Sequence, residues 1–243
     1  MRNLITFYGG DSQVGVTMVA LSAARLLAKK GRRVFFIYAS QNPGNDFIRG
    51  SSTTSIDDLR HGIADGSLTL DELNQNVFAD GQIDILPSVR SFSSAVHYQE
   101  DAIEYIYDLA KNKYDYIIAD GGCGGWSLSS WAIRKAGILF VVLTQQEKCV
   151  QRFRLRKGML RDAEGEVCYI VNKFNHGGVF YNMEDMRGWI GCGKEEICKI
   201  PYVPYGWQAE SDRETLLHSK TFVKGMKDII TWVEQGETVG TKE

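Results

Sequence analysis

The stretch "GGDSQVGVTM", residues 9–18, follows the apolar run "LITFY" (4–8) and leads into "TMVALSAARLLAKKG" (17–31). Within it the frame G-x-x-x-x-G-x-[ST] runs from Gly10 to Thr17. A strand, a glycine-rich turn and a helix in this order gather backbone N–H groups and a helix N-terminus around a phosphate. A lysine normally stands just before the Ser/Thr and neutralises β/γ-phosphate charge; here that position is Val16. A strand–turn–helix that needs its glycines for geometry alone would share the frame, so the surrounding sequence has to separate the two readings.

Moving outward, the runs "RVFFIYA" (33–39), "YDYIIAD" (114–120), "GILFVVLT" (137–144) and "VCYIVNKF" (167–174) are short, apolar on both parities and rich in β-formers. Such runs suit a parallel sheet covered on both faces. Helical patterns lie between them, as in "TMVALSAARLLAKKG", which stops at a glycine after two lysines, and "YQEDAIEYIYDLAKNK" (98–113). Turn chemistry in "RDAEGE" (161–166) separates a basic helix from the fifth strand. "SIDDLRHGIADG" and "TLDELNQNVF" read as two short helices before "IDILPS" (83–88), an extra edge strand or loop. The tail "TFVKGMKDIITWVEQ" (221–235) places Phe222, Val223, Met226, Ile229, Ile230 and Val233 on one helical face. It reads as a last helix packed on the sheet, with a partner or membrane-surface helix as the sharper alternative. Residues 235–243 read as a flexible tail. Alternating strand and helix predict one α/β domain over residues 1–243, a doubly wound, mostly parallel sheet flanked by helices.

The chain has 243 residues, a 44% hydrophobic content and a formal net charge of −2, so no global charge drives it toward nucleic acid or membrane. Its five cysteines (Cys123, Cys149, Cys168, Cys192, Cys198) form no C-x-x-C pair and read as free thiols of a reducing compartment. The first apolar run reaches glycine too soon for a secretory signal, and no run approaches the ~20 residues of a membrane span. The expected location is the cytoplasm.

The ordered set of motifs resembles the MinD/ParA family of P-loop ATPases. The loop at Gly10–Thr17 is followed by "LSAARLLAKKGRRVFFIYAS", similar to that family's first helix and second strand. "YDYIIAD" resembles its Walker-B-like strand, ending in Asp120. "LFVVLTQQEKCVQRFRLRK" resembles the next strand and helix, "YIVNKFN" the strand whose asparagine faces adenine, and "KIPYVPYGWQAESDRETLLHSK" the proline-containing loop and late helix. The resemblance implies a P-loop NTPase fold and a site for ATP or ADP at Gly10, Asp11, Ser12, Gln13, Val14, Gly15, Val16, Thr17, Met18, Asn172 and Pro204. It implies Mg²⁺ at Thr17 and Asp120 when nucleotide binds.

The departures from the family pattern fall on the chemistry. The signature lysine after the first loop glycine is Asp11, the main loop lysine is Val16, and the D-x-D that ends the second strand falls on Tyr38 and Ser40. Losing a cation from a phosphate clamp costs a few kcal/mol of transition-state stabilisation. A cation supplied in trans is worth roughly 10³–10⁵ in rate. The expectation is weak nucleotide binding with little or no hydrolysis, hence no efficient ATPase. Asp11 would repel a γ-phosphate unless a metal or a basic group intervenes, and Arg32, Arg33, Arg49, Arg152 and Arg154 are equal candidates for that group. Within the resemblance, the CpaE/TadZ-like branch that positions pili is the nearest functional analogue. It implies a homodimer and a protein partner in an assembly or positioning machinery. An active ATPase with a rearranged site and a DNA-associated ParA-like partition factor are the alternatives.

Other features are weighed against plainer explanations. "DGGCGGW" (120–126) is similar to the surroundings of a cluster-ligating cysteine in nitrogenase iron protein, but its spacing is shorter and a second such cysteine is missing, so no iron–sulfur cluster is expected. Cys192 and Cys198 in "GCGKEEIC" lack the further ligands of a metal site. The basic run "KCVQRFRLRKGMLR" (148–161) is a solvated helix face, an interface, or, least favoured, a DNA-binding strip. The histidines His61, His97, His176 and His218 have no metal-ligand spacing. Trp189 and Trp207 lie in late loops and suit packing or binding equally.

Overall fold

The computed structural model describes residues 1, 3–43, 47–48, 54–124, 127–177 and 181–238. Arg49, Gly125, Trp126 and residues 239–243 lie outside them. In chain order the elements are β1 (Leu4–Gly9), α1 (Val16–Lys29), β2 (Val34–Tyr38), α2 (Arg60–Ala64), α3 (Leu70–Gln75), β3 (Phe78–Asp80), β4 (Ile83–Leu86), α4 (Phe92–Ala95) and α5 (Ala102–Ala110). There follow β5 (Tyr116–Asp120), α6 (Ser127–Lys135), β6 (Ile138–Leu143), α7 (Glu147–Arg156), β7 (Glu166–Phe174), α8 (Met183–Ile190), β8 (Ile197–Pro201), α9 (Gly206–Ser211) and α10 (Lys220–Thr238).

The strands form one sheet in the order β3-β4-β2-β5-β1-β6-β7-β8. Every pairing is parallel except β3 with β4. β1 lies between β5 and β6, so the strand order reverses around it. The carboxyl end of β1 is therefore the switch point at which open α/β sheets place their ligands.

Alternation within buried strands explains the two cores. In β2, Val34, Phe36 and Tyr38 pack with α1, while Phe35 and Ile37 pack with α5 and α6. In β5, Tyr116 and Ile118 join the first core, and Ile117 and Ala119 the second. Strands buried on both faces read as continuous apolar runs, and for that reason these were legible in the sequence.

The expected helix at the C-terminus is α10. It buries Phe222, Met226, Ile229, Ile230 and Val233 against the sheet, while Val223 is only partly covered. A Cβ at Gly225 would lie 2.8 Å from Pro201 Cδ, so this glycine lets α10 sit tightly against β8. The helix continues to Thr238.

Two readings need correction. "IDILPS" is a strand, β4, but not the edge: it pairs with β2 on one side and the short antiparallel β3 on the other. "KIPYVPYGW" is not only a loop, because Ile197–Pro201 forms β8 and pairs with β7, with a register shift between Val171 and Phe174. Its charged flank and terminal proline hide an edge strand from a hydropathy reading.

Candidate functional site

The loop between β1 and α1 is held from below by its neighbours. The Gly9 amide donates to the Gly122 carbonyl at 2.7 Å, and the Gly10 amide to the Val142 carbonyl at 2.9 Å. A Cβ at Gly10 would come within 2.1 Å of Leu143 and 3.1 Å of Phe153, so the loop can only leave the sheet here as glycine. Gly15 ends the loop with φ 89°, and a Cβ there would lie 2.6 Å from the Asn172 amide nitrogen. Gln13 is also left-handed, with φ 58°.

The N-terminus of α1 begins at Val16 with no side-chain cap and no acidic residue in its first turn. The first amides of a helix have no intrahelical acceptor and carry a partial positive charge. A helix of this length starting on a left-handed glycine therefore presents Val16, Thr17 and Met18 as an anion-facing terminus. Val16 is buried against Gly9, where an added Cβ would sit 2.8 Å from Val16 Cγ2. An apolar side chain has thus taken the lysine position and turned into the core.

The two expected Mg²⁺ residues come together. Thr17 donates its hydroxyl to Asp120 Oδ2 at 2.5 Å, and Asp120 Oδ1 accepts the Gly122 amide at 3.0 Å. Asp120 is 1% exposed. Oxygen donors of this kind fit a hard cation such as Mg²⁺, with waters and phosphate oxygens completing its shell.

Asp11 has a partner that the sequence did not single out. Arg152 of α7 donates from Nη1 to both carboxylate oxygens, at 2.8 and 3.0 Å. The Ser12 amide also donates to Asp11 Oδ1, at 2.8 Å. Asp11 is 9% exposed. Burial opposes its ionisation, but Arg152, the Ser12 amide and the more distant Arg156 charge prevail and hold the carboxyl below its usual range. Of the candidate arginines among the described residues, Arg152 is the one that reaches the loop. Position 152 lies one helical turn before 156, so these two of the basic side chains of α7 act on Asp11 from the same face of the helix.

Asn172 is brought to the site, but its amide nitrogen donates to the Val14 carbonyl at 2.8 Å, bracing the loop. The adjacent Lys173 was missed by sequence reasoning. Its Nζ donates to the Gln13 carbonyl at 2.9 Å, and its backbone is left-handed, with φ 56°. A lysine thus stands over the loop from β7 although the loop has none of its own. Nothing in the local sequence marks it, because the pairing of loop and strand is made across the sheet.

These residues line a cavity of about 580 Å³ at the carboxyl end of β1, a size typical of small-molecule sites. Its lining includes Asp11, Gln13, Val14, Gly15, Val16, Thr17 and Met18, with Asn172, Lys173 and Pro204 across from them. Gly10 and Ser12 are not among the lining residues; Gly10 packs beneath, and Ser12 serves Asp11. The mouth is aromatic: Tyr202 and Trp207 line it, the latter 72% exposed. Trp189 instead packs on Tyr181, at 5.1 Å between ring centres.

Where a second-strand aspartate was expected in the family pattern, Tyr38 and Ser40 are buried. A Cβ at Gly122 would meet Ser40 Cβ at 2.6 Å, so the turn after β5 closes over Ser40 rather than over a carboxylate. Cys123 also lines the cavity. Burial pushes its thiol up, the Asp11 and Asp120 charges add to this, and Arg156 only partly offsets it, so it stays protonated at neutral pH. All five cysteines are free.

The basic run divides. Arg152 points to Asp11, and Lys157 donates to the Ile190 carbonyl at 2.6 Å, while Arg154 and the 89%-exposed Leu155 face outward. It is therefore not a uniform solvated face. Among the described residues, no helix is long and apolar enough to cross a membrane.

No protein-family model matches the chain, and no curated protein matches it in sequence. Solved structures do match. A ParA family ATPase from Chlorobium tepidum superposes with a TM-score of 0.80 at 17% identity, over 96% of this chain and 99% of that one. The septum site-determining protein MinD complexed with Mg-ADP from Pyrococcus horikoshii gives 0.76 at 17% identity, over 98% of each chain. The MinC:MinD cell division complex of Aquifex aeolicus gives 0.71 at 18% identity, over 95% of each. With its mostly parallel eight-stranded sheet and glycine loop at the switch point, the chain has the P-loop NTPase fold of the MinD/ParA ATPases.

Proposed function

We propose that this protein is a MinD/ParA-like spatial-organisation or scaffold protein that holds a nucleotide in the loop cavity and hydrolyses it slowly or not at all. The observation that carries this reading is the split character of the site. Parts that bind are present: the uncapped α1 terminus, the Thr17–Asp120 oxygen pair and a cavity of suitable size. Parts that accelerate phosphoryl transfer are replaced: Val16 is buried, and the signature-lysine position holds an aspartate whose charge is consumed by Arg152 of the same chain. A transition state with charge spreading over the γ-phosphate has no loop cation to receive it.

When nucleotide is bound, Mg²⁺ supplies charge neutralisation at the phosphates, held by Thr17 and Asp120. Lys173 adds the protein's own cation, Asn172 fixes the loop, and Tyr202, Pro204 and Trp207 accept the base. The Mg-ADP in the P. horikoshii neighbour supports nucleotide and metal as ligands of this fold, and the MinC:MinD complex supports a protein partner. By the resemblance to the CpaE/TadZ-like branch, the partner belongs to an assembly or positioning machinery. The protein acts as a homodimer that forms without nucleotide, since the charges that couple ATP to dimerisation are missing.

The test is a thermal-stability titration with ADP and ATP, with and without Mg²⁺, run beside phosphate release. A Mg²⁺-dependent shift without turnover supports the reading. The competing reading of an active, rearranged ATPase draws on Lys173 and Arg152 at the loop, and it requires phosphate release that Asp120→Ala abolishes.

A further inference from the structure

The cavity has two chemically different ends. At one, Gly15 touches Asn172, and Tyr202, Pro204 and Trp207 form an aromatic mouth, while Lys173 stands over the loop on the Gln13 carbonyl. At the other, Asp11, Gly122 and Cys123 gather: a Cβ on Gly9 would lie 3.0 Å from the Asp11 carbonyl and 3.2 Å from Cys123 Cβ. Thr17, bonded to Asp120, belongs to this second end. A ligand whose ring lay in the aromatic mouth would run its phosphates along the loop toward Asp11.

That position already contains an anion. The Asp11 carboxylate, which lines the cavity, takes the Ser12 amide of the loop and the Arg152 guanidinium. Both donors are thereby satisfied from within the chain. A fixed charge on a side chain as buried as Asp11 rejects a like charge more strongly than an exposed one does.

We propose that the cavity is a nucleoside diphosphate site, in which the Asp11 carboxylate, fixed by Ser12 and Arg152, occupies the place of the terminal phosphate and excludes triphosphates. This rests on the nucleotide reading above and specifies its ligand. The protein then does not use the difference between ATP and ADP as a switch by binding ATP. It is held in one state by the diphosphate, and Asp11 and Arg152 supply the contacts that a third phosphate would otherwise make.

The experiment is calorimetric titration of the full chain with Mg-ADP and with the non-hydrolysable imido analogue of Mg-ATP. Wild type is expected to bind the diphosphate more tightly by about tenfold or more. Asp11→Asn keeps the shape and removes the charge; it should tighten the triphosphate analogue and bring the two affinities within about threefold. Arg152→Met leaves the Asp11 charge less compensated and should widen the ratio. A general loosening of the loop would move both ligands together, so these opposite changes in the ratio do not follow from misfolding. Wild type that binds the triphosphate analogue as well as ADP, or variants that leave the ratio unchanged, overturn the diphosphate assignment alone. Wild type that binds neither overturns the nucleotide reading itself, and the assignment with it.

Discussion

Replacing Arg152 should cost much more stability than replacing its partner Asp11. Asp11 is the buried member of the pair, with a side chain 12% exposed, while the Arg152 side chain is 42% exposed. Arg152→Met strands a carboxylate that keeps one amide bond, from Ser12, and loses two contacts at 2.8 and 3.0 Å. Stranding a fully buried charge costs about 3–5 kcal/mol, whereas breaking an exposed pair costs about 0.2–1 kcal/mol. With one partner nearly half in water, screening places this site between the two, at about 1–2 kcal/mol. For a chain of this size that is a fall in Tm of roughly 2–8 °C. Asp11→Asn keeps an oxygen for the Ser12 amide and lets Arg152 return to water, so its cost should stay within about 0.5 kcal/mol. The double variant should resemble Asp11→Asn, which gives a coupling equal to the whole Arg152→Met cost, about 1–2 kcal/mol. The pH dependence has a defined sign. The carboxyl is held below its unfolded value of about 3.9, so the pair stabilises fully above that pH and loses its contribution as pH falls through the folded value. Urea denaturation of the four proteins at pH 7 and near pH 3 measures all of this. Equal costs for the two single variants, or additive behaviour in the double, would refute the assignment of Asp11 as the charge that depends on its partner.

Lys173→Met should weaken ADP binding while leaving adenosine binding unchanged, because Nζ acts on phosphate and not on the base; calorimetry with the two ligands separates these. Gly15→Ala should cost about 1–2 kcal/mol or more from the left-handed backbone alone, and the 2.6 Å approach to Asn172 should also abolish nucleotide binding, both visible by thermal melting with and without ligand. Thr17→Ala and Asp120→Asn should each remove the Mg²⁺ dependence of binding while retaining part of the metal-free affinity. Trp207, exposed at the cavity mouth, should report binding by a change in its fluorescence, lost in Trp207→Leu.

The parts of this molecule legible in the sequence are those whose signal is local. β1, β2, β5, β6 and β7 announce themselves as doubly buried apolar runs, and α1 and α10 by periodicity. The glycine frame placed the loop for the same reason: Gly10 and Gly15 meet steric demands that no other residue satisfies. Thr17 and Asp120 follow from the topology, because parallel pairing of β1 with β5 aligns their carboxyl ends. Other features are set across the sheet and escaped. β8 has a charged, proline-ended sequence and exists because β7 offers it an edge. Lys173 reaches Gln13 only after β7 and the loop are brought together. The basic run could not be divided by composition, since the roles of Arg152, Arg154 and Lys157 depend on which way each side chain leaves α7. Most consequentially, Asp11 reads in isolation as a bare charge, and in the fold it is a charge fixed in place by Arg152 and the Ser12 amide.

The measurement that tests the central claim most directly is thermal stability of the purified protein against Mg-ADP concentration, with phosphate release from Mg-ATP followed in parallel. A ligand that binds only the folded chain adds about 2.7 kcal/mol at one hundred times its dissociation constant, a shift of several degrees. The account predicts such a shift, dependent on Mg²⁺ and on Asp120, with phosphate release slow or at the level of the protein-free control. No shift at millimolar nucleotide would contradict it by making the loop purely structural, and rapid phosphate release abolished by Asp120→Ala would contradict it by making the protein an efficient ATPase.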